Sequence, residues 1–279
     1  METVAEALAL WRDGDADGAV ERARSAGTLL GDELVAHWRS AGEGRVYDQP
    51  EAFLRFVRGG GNVELYSRLS DALARGWDAT RPESLLDVGC GDGLALVPAL
   101  ERAAHVPQRI DLVEPSRTML DAARAAVPGA RAWNERVQSF LARSAEPRWD
   151  AAQATFSLHT FEPRERTSVL RGLRERVTRL SVAEFDVPEF AEGTPEHLDS
   201  LATRYERGVA EYGRDASLVA RGFLLPVLLG QISPNAARET WEQPVAAWAA
   251  QLADAGFSDV GVEPLADYWW APAVLITAR

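Results

Sequence analysis

Hydrophobic positions change their period twice along the 279-residue chain. Over residues 2–40 they recur at helical spacing: VAEALALW runs into the turn DGDADG (13–18), AVERARSAG opens a second helix, and LLGDELVAHW continues the pattern. The loop AGEGRVYDQP (41–50) separates these from PEAFLRFVRGGGNVELYSRLSDALARGW, two more helices broken at Gly59, Gly60 and Gly61. From residue 84 short apolar runs alternate with helical ones. SLLDVG (84–89), RIDLVEP (109–115), ARAWN (130–134), WDAAQATFS (149–157) and RLSVAEFDV (179–187) read as strands. LALVPALERAA (94–104), RTMLDAARAAV (117–127) and PRERTSVLRGLRERV (163–177) read as helices between them. That alternation predicts a parallel sheet covered on both faces. Residues 191–253 then carry helical patterns without a good strand. FSDVGVEPL (257–265) and PAVLITA (272–278) follow with only ADYWWA between them, so they must be antiparallel neighbours.

The expected organisation is a helical extension over 1–44, an α/β domain over 45–279, and a helical substrate-lid insertion at 191–253. The first two helices and their Gly/Asp turn faintly resemble one tetratricopeptide-type unit, which cannot bury its own face and is expected to pack on the main domain or on a partner chain. A formal charge of −12 argues against a nucleic-acid partner, because phosphate neutralisation needs a basic surface. All 30 basic residues are Arg, which rules out Schiff-base chemistry on a lysine. The acidic N-terminus has no basic n-region, and the apolar run GFLLPVLLGQI (222–232) is too short to span a bilayer and contains Pro226. A cytoplasmic protein without a membrane partner is the expectation. The single cysteine allows no internal disulfide, and His37, His105, His159 and His197 show no metal-ligand spacing.

The stretch LLDVGCGDG (85–93) changes the picture most. Glycines after a first strand let a ligand approach the backbone where a Cβ would clash. Dinucleotide and S-adenosylmethionine (SAM) sites both use this device, and three details favour SAM. Gly93 follows Gly91 by two residues rather than three. Asp87 precedes the loop, where it would repel a pyrophosphate but suits an ammonium group. The C-terminal hairpin is foreign to the usual dinucleotide domain.

With Glu114 ending the second strand in DLVEPS, the segment ATFSLHTF and an AGF-led final hairpin, the chain resembles a class I (Rossmann-like) SAM-dependent methyltransferase over roughly residues 45–279. The resemblance implies a doubly wound sheet of seven strands, mostly parallel. It implies that Asp87 and the backbone of Gly89 and Gly91 hold the methionine end of SAM, and that Glu114 takes both ribose hydroxyls. Asn134, Glu135 or Gln138 would meet the adenine, Phe156 and Ser157 would pass near the donor methyl, and the helices around Tyr47, Phe53, Asn62 and Tyr66 would cap the cofactor. Cys90 is read as a small loop residue and the Arg-rich helix at 163–179, interrupted by Glu165 and Glu175, as a solvated face.

Three residues are candidates for the chemistry. His159 follows the fourth strand at the mouth of the cleft and could act as a general base. Glu184 and Asp186 flank Phe185 at the end of the fifth strand, and one of them is expected to face the substrate cleft, the other the helix layer or solvent. The expected reaction is methyl transfer to a nitrogen or oxygen of a small-molecule or peptide natural product in specialised metabolism. Nitrogen is favoured, because a cleft carboxylate and the negative net charge would attract a cationic acceptor. The alternatives are a non-methylating SAM reaction such as cyclisation, and a partner- or peptide-binding subunit working through the N-terminal helices.

Overall fold

Ser84, Leu85, Leu86, Asp87 and Val88 are all buried, the signature of a central strand covered on both faces. In the computed structural model, which describes residues 3–40, 50–143, 148–233, 238 and 240–279, this strand is β1 (Ser84–Val88). It is preceded by α1 (Val4–Arg12), α2 (Ala16–Ala26), α3 (Leu29–Arg39), α4 (Pro50–Val57) and α5 (Asn62–Thr80). After it come α6 (Leu96–Arg102), β2 (Arg109–Val113), α7 (Arg117–Ala126), β3 (Arg131–Trp133), α8 (Val137–Arg143), β4 (Trp149–Thr155), α9 (Pro163–Arg176) and β5 (Val177–Phe185). The chain continues through α10 (Pro195–Ala210), α11 (Ala216–Val219), α12 (Leu225–Ile232) and α13 (Val245–Asp254) to β6 (Gly261–Asp267) and β7 (Pro272–Ala278).

The seven strands lie in the order β3-β2-β1-β4-β5-β7-β6. Strands β1 to β5 pair in parallel, and β7 is antiparallel to both β5 and β6, so the expected terminal hairpin is present. Pro264 sits in β6, where a missing N–H is tolerated because that strand has only one neighbour. Order reverses between β1 and β4, which opens a crevice at the carboxyl ends of the strands, the position where open α/β sheets bind ligands.

Two compact units divide the chain. One comprises Glu64–Pro188, Glu239–Asp267 and Pro272–Arg279 and contains the sheet. Its core joins Leu86 and Val88 to Phe140, Trp149, Leu170, Val182 and Ile276. In the middle of β2, buried Asp111 accepts both forks of Arg131 at 2.8 Å and the indole N–H groups of Trp133 and Trp149. Burial alone would push its carboxyl up; those donors and the Arg131 charge hold it below the usual range.

The other unit comprises Met1–Val63, Glu189–Arg238 and Tyr268–Ala271. Here the N-terminal helices and much of the 191–253 segment form one body, with α13 in the sheet unit instead. Glu206 on α10 accepts the N–H groups of Leu29 and Leu30, satisfying two orphan donors at the start of α3, and Arg12 donates to the Gly193 carbonyl. Tyr205 packs edge-on against Trp269 and Trp270, which makes this aromatic group core. Continuous helix over Gly213–Ile232 is longer than the apolar run suggests, and among the described residues it alone is long and apolar enough to cross a bilayer. Leu224, Leu225, Leu228 and Ile232 on it are buried within the protein. The loop 41–49, with Tyr47, lies outside the described residues.

Candidate active site

The turn after β1 is built by positive φ. Gly89 (φ 65°), Gly91 (φ 55°) and Gly93 (φ 84°) all adopt the left-handed region, which explains the alternation of glycines with Cys90 and Asp92. Their tasks differ. The Gly89 N–H is taken by the Val113 carbonyl at 2.8 Å, and a Cβ there would stand 2.7 Å from the Cβ of Ser157. Gly89 therefore lets the β1 turn pack on the loop after β4, rather than offering its N–H to a cofactor. Around Gly91 the space is open: beyond its chain neighbours, nothing among the described residues lies within 4 Å of an added Cβ. Its N–H donates to Glu114 Oε2 at 3.1 Å, while Ser116 N–H donates to Oε1 at 2.8 Å. The carboxylate at the end of β2 is thus fixed at the rim of the glycine turn, with lone pairs remaining on both oxygens.

Asp87, only 1% exposed, accepts one bond on Oδ2 from Gln153 at 2.9 Å. Its Oδ1 and the Gln153 Oε1 are buried without a partner. Burial, with a smaller push from the Glu114 charge and against the pull of the Gln153 bond, raises the Asp87 carboxyl to about 7. An orphaned carboxylate oxygen beside an open glycine turn fits the ammonium end of SAM, and Glu114 fits its ribose. The Cys90 thiol is pushed far above its ordinary value by burial and by the charges of Asp87 and Glu114, so it stays protonated and inert.

Two expectations follow from this geometry. Glu114→Ala should weaken SAM binding about 10- to 100-fold, the worth of charge-assisted bonds to a carboxylate, as read by calorimetry on folded protein. Asp87→Asn should separate stability from binding. A carboxyl raised from about 4 to about 7 contributes stability below pH 4 that is lost as pH rises through 7. Asparagine removes that dependence and can donate to the unpartnered Gln153 Oε1. At pH 8 the ligand-free variant is expected to gain about 2 kcal/mol while losing affinity for SAM; a lower melting temperature than wild type at pH 8 counts against this assignment.

The residues expected at the adenine are occupied. Asn134 donates to the carbonyls of Glu114 and Pro115, at 3.1 and 2.9 Å, and so holds the turn after β2. Glu135 is paired with Arg143, and Gln138 donates to Glu165 at 2.6 Å. Asn134 is thus engaged through its amide nitrogen, and Gln138 Oε1 is buried without a partner among the described residues.

At the end of β4, Phe156 has φ 50°, an uncommon conformation for a residue with a side chain. It stacks on Phe185 with ring centroids 4.7 Å apart and meets Tyr66 edge-on at 5.8 Å. Burial first, then the charges of Asp92 and Glu184, push the Tyr66 phenol well above its usual range, so it is a neutral hydrogen-bonding group. The next turn, 158–160, carries His159, whose Nδ1 lies 2.8 Å from Glu184 Oε2. Glu184 is fully buried, and its Oε1 also accepts the N–H groups of Leu158 and His159, at 3.0 and 3.1 Å. Burial lowers the His159 pKa, but the charge and hydrogen bond of Glu184 and the charge of Glu242 outweigh it, and the net result is about 9. With Nδ1 on the carboxylate, Nε2 makes no hydrogen bond among the described residues.

Glu184 and Asp186 take different partners, as the end of β5 between them allows. Residues two apart share a face in a continuing strand, and β5 stops at Phe185. Glu184 turns to His159 and serves as its orienting partner. Asp186 accepts the Val245 N–H at 2.7 Å and fixes the start of α13. Neither is a free carboxylate facing an acceptor. The sequence reading passed over Gln153, Glu242 and Arg166. Arg166 lies on the helix read as solvated, yet it is fully buried. A lone Gln in the apolar run WDAAQAT was a usable signal, because a buried amide needs a partner.

Comparison with known proteins agrees with the geometry. Residues 86–179 match a methyltransferase domain. No curated protein sequence matches the chain. Among solved structures, the mitomycin 7-O-methyltransferase MmcR superposes with a TM-score of 0.52 at 15% identity, covering 95% of this chain and 71% of that one. An O-methyltransferase family protein from Burkholderia thailandensis gives 0.52 at 16% identity, covering 90% and 71%. The magnesium protoporphyrin IX methyltransferase ChlM from Synechocystis, with SAM bound, gives 0.50 at 14% identity, covering 89% and 97%. At these identities the likeness is one of fold. Residues 86–179 thus carry a methyltransferase domain, and the strand order with its antiparallel terminal hairpin is that of an S-adenosylmethionine-dependent methyltransferase fold.

Proposed function

We propose that the enzyme methylates a hydroxyl group of a small molecule, with His159 as the general base. The observation that carries this reading is the pairing of part-buried His159 with fully buried Glu184 at 2.8 Å. SAM supplies a methyl group already activated on sulfur, so the protein's tasks are alignment, exclusion of water and removal of one proton. Glu184 holds Nδ1 and directs Nε2 away from the strand, and the neutral imidazole takes the acceptor's proton at Nε2 as the oxygen is methylated. Tyr66, Phe156 and Phe185 provide an apolar aromatic wall in the same unit. The preference for an amine acceptor rested on a free cleft carboxylate, and Glu184 and Asp186 are both engaged. Two of the three structures compared above are named as O-methyltransferases, which supports the same direction. The N-terminal helices satisfy their own ends within their unit, which favours a packing role over partner capture. A small natural-product acceptor in the cytoplasm remains part of the reading.

The test uses methyl-labelled SAM with matched acceptors that differ only in carrying a hydroxyl or an amine. Label in the hydroxyl product is expected. Label only in the amine product overturns the proposal, and an acceptor altered without label points to a non-methylating reaction.

A further inference from the structure

Arg166 on α9 is fully buried, and no ion pair is formed by it among the described residues. Its guanidinium donates to neutral oxygens only: Nε to Gln251 Oε1 at 2.8 Å, Nη1 to the Trp241 carbonyl at 2.7 Å and Nη2 to Gln243 Oε1 at 2.8 Å. The plane lies over the Trp248 ring, 4.2 Å from its centroid. A buried cation with neutral partners is costly to retain, and an apolar side chain of similar volume would serve stability as well or better. A role in packing alone gives no reason for it.

The Trp241 peptide supplies one. Its carbonyl accepts from Arg166, and its N–H donates to the carbonyl of His159 at 2.7 Å. His159 is thereby held on two sides, by Glu184 at its own N–H and at Nδ1, and by Trp241 at its carbonyl. We infer that Arg166 is a positioning residue for His159: it anchors the segment that grips the backbone of the imidazole's turn, and it places a cation near Glu184 and Glu242, the carboxylates that act on the ring. This rests on the reading of His159 as the base. The charged groups acting on the imidazole come from three elements: Glu184 from β5, Arg166 from α9, and Glu242 from the segment before α13.

The test follows the imidazole resonances of the four histidines through a pH titration, with His159 assigned by the signal lost in His159→Asn. Arg166→Met keeps the stem over Trp248 and removes both charge and fork. The His159 midpoint should rise by about one pH unit, while His37, His105 and His197 stay put. The pH profile of turnover should move by the same amount without change in the Michaelis constant for SAM. Arg166→Lys keeps the charge without the fork, so it should hold the midpoint near wild type while the Nδ1 proton exchanges about tenfold faster. If Arg166→Met fails to fold, the lysine variant decides by that exchange rate. A folded methionine variant with an unchanged His159 midpoint, or a lysine variant with unchanged exchange, overturns the inference. A His159→Asn enzyme with full turnover instead overturns the base reading and leaves the coupling of Arg166 to His159 measurable by itself.

Discussion

Gly91→Val is expected to abolish SAM binding while leaving the protein folded. The backbone there has φ 55°, which an L side chain resists by about 1–2 kcal/mol and a β-branched one more. The larger effect is steric. Beyond its chain neighbours, no atom of the described residues lies within 4 Å of a Cβ at this position, so the new side chain should spare the fold and occupy open space at the turn whose N–H meets Glu114. Gly89 makes the useful contrast, since a Cβ there comes within 2.7 Å of Ser157 and damages the fold itself. Thermal unfolding reads the difference: wild type should gain about 2.7 kcal/mol at a SAM concentration of 100 times its Kd, and Gly91→Val nothing. A folded Gly91→Val protein with a normal ligand shift would show that SAM does not use this face of the turn.

The parts of the fold that the sequence made legible are those set by local period. Every expected strand from β1 to β7 is present, because strands buried on both faces read as short apolar runs and the joining helices keep their 3.6 spacing. The glycine turn was legible for a similar reason, since positive φ at three alternating positions leaves glycine as the ready choice. Side-chain destinations were not. Asp186 lies one residue past β5 and its carboxylate goes to α13, a partner 59 residues away that no local pattern records. Arg166 sits in a helix dense with Arg and Glu, where charge argues for water; its burial depends on Gln243, Trp248 and Gln251, which only the tertiary fold brings to it. Asn134 and Glu135 have the chemistry expected of an adenine partner, and both are taken up in holding their own loop. Long-range hydrogen bonding decides these cases, and it leaves no period in the chain.

His159→Asn should lower kcat about 100- to 10,000-fold, the usual contribution of a positioned general base, with SAM affinity unchanged. Asparagine suits the test because its amide can still donate to Glu184 where Nδ1 stands, so the turn after β4 keeps its anchor and only Nε2 is lost. The wild-type pH dependence carries a second signature. The base must be neutral, and with a pKa near 9 its neutral fraction grows about tenfold for each pH unit below that value, so turnover should climb toward pH 9. Stability should move the other way. A histidine raised by its carboxylate partner contributes stability that is complete below about 6.5 and is lost as pH rises through about 9. Glu184→Gln removes the charge that raises the imidazole, so the activity limb should shift to lower pH while the maximal rate falls, the weaker base being less able to take the proton. Steady-state kinetics of both variants between pH 6 and 10, with melting temperatures over the same range, separates the cases. A His159→Asn enzyme with wild-type kcat on a hydroxyl acceptor would remove the base from the reaction, and with it the reason for preferring oxygen to nitrogen.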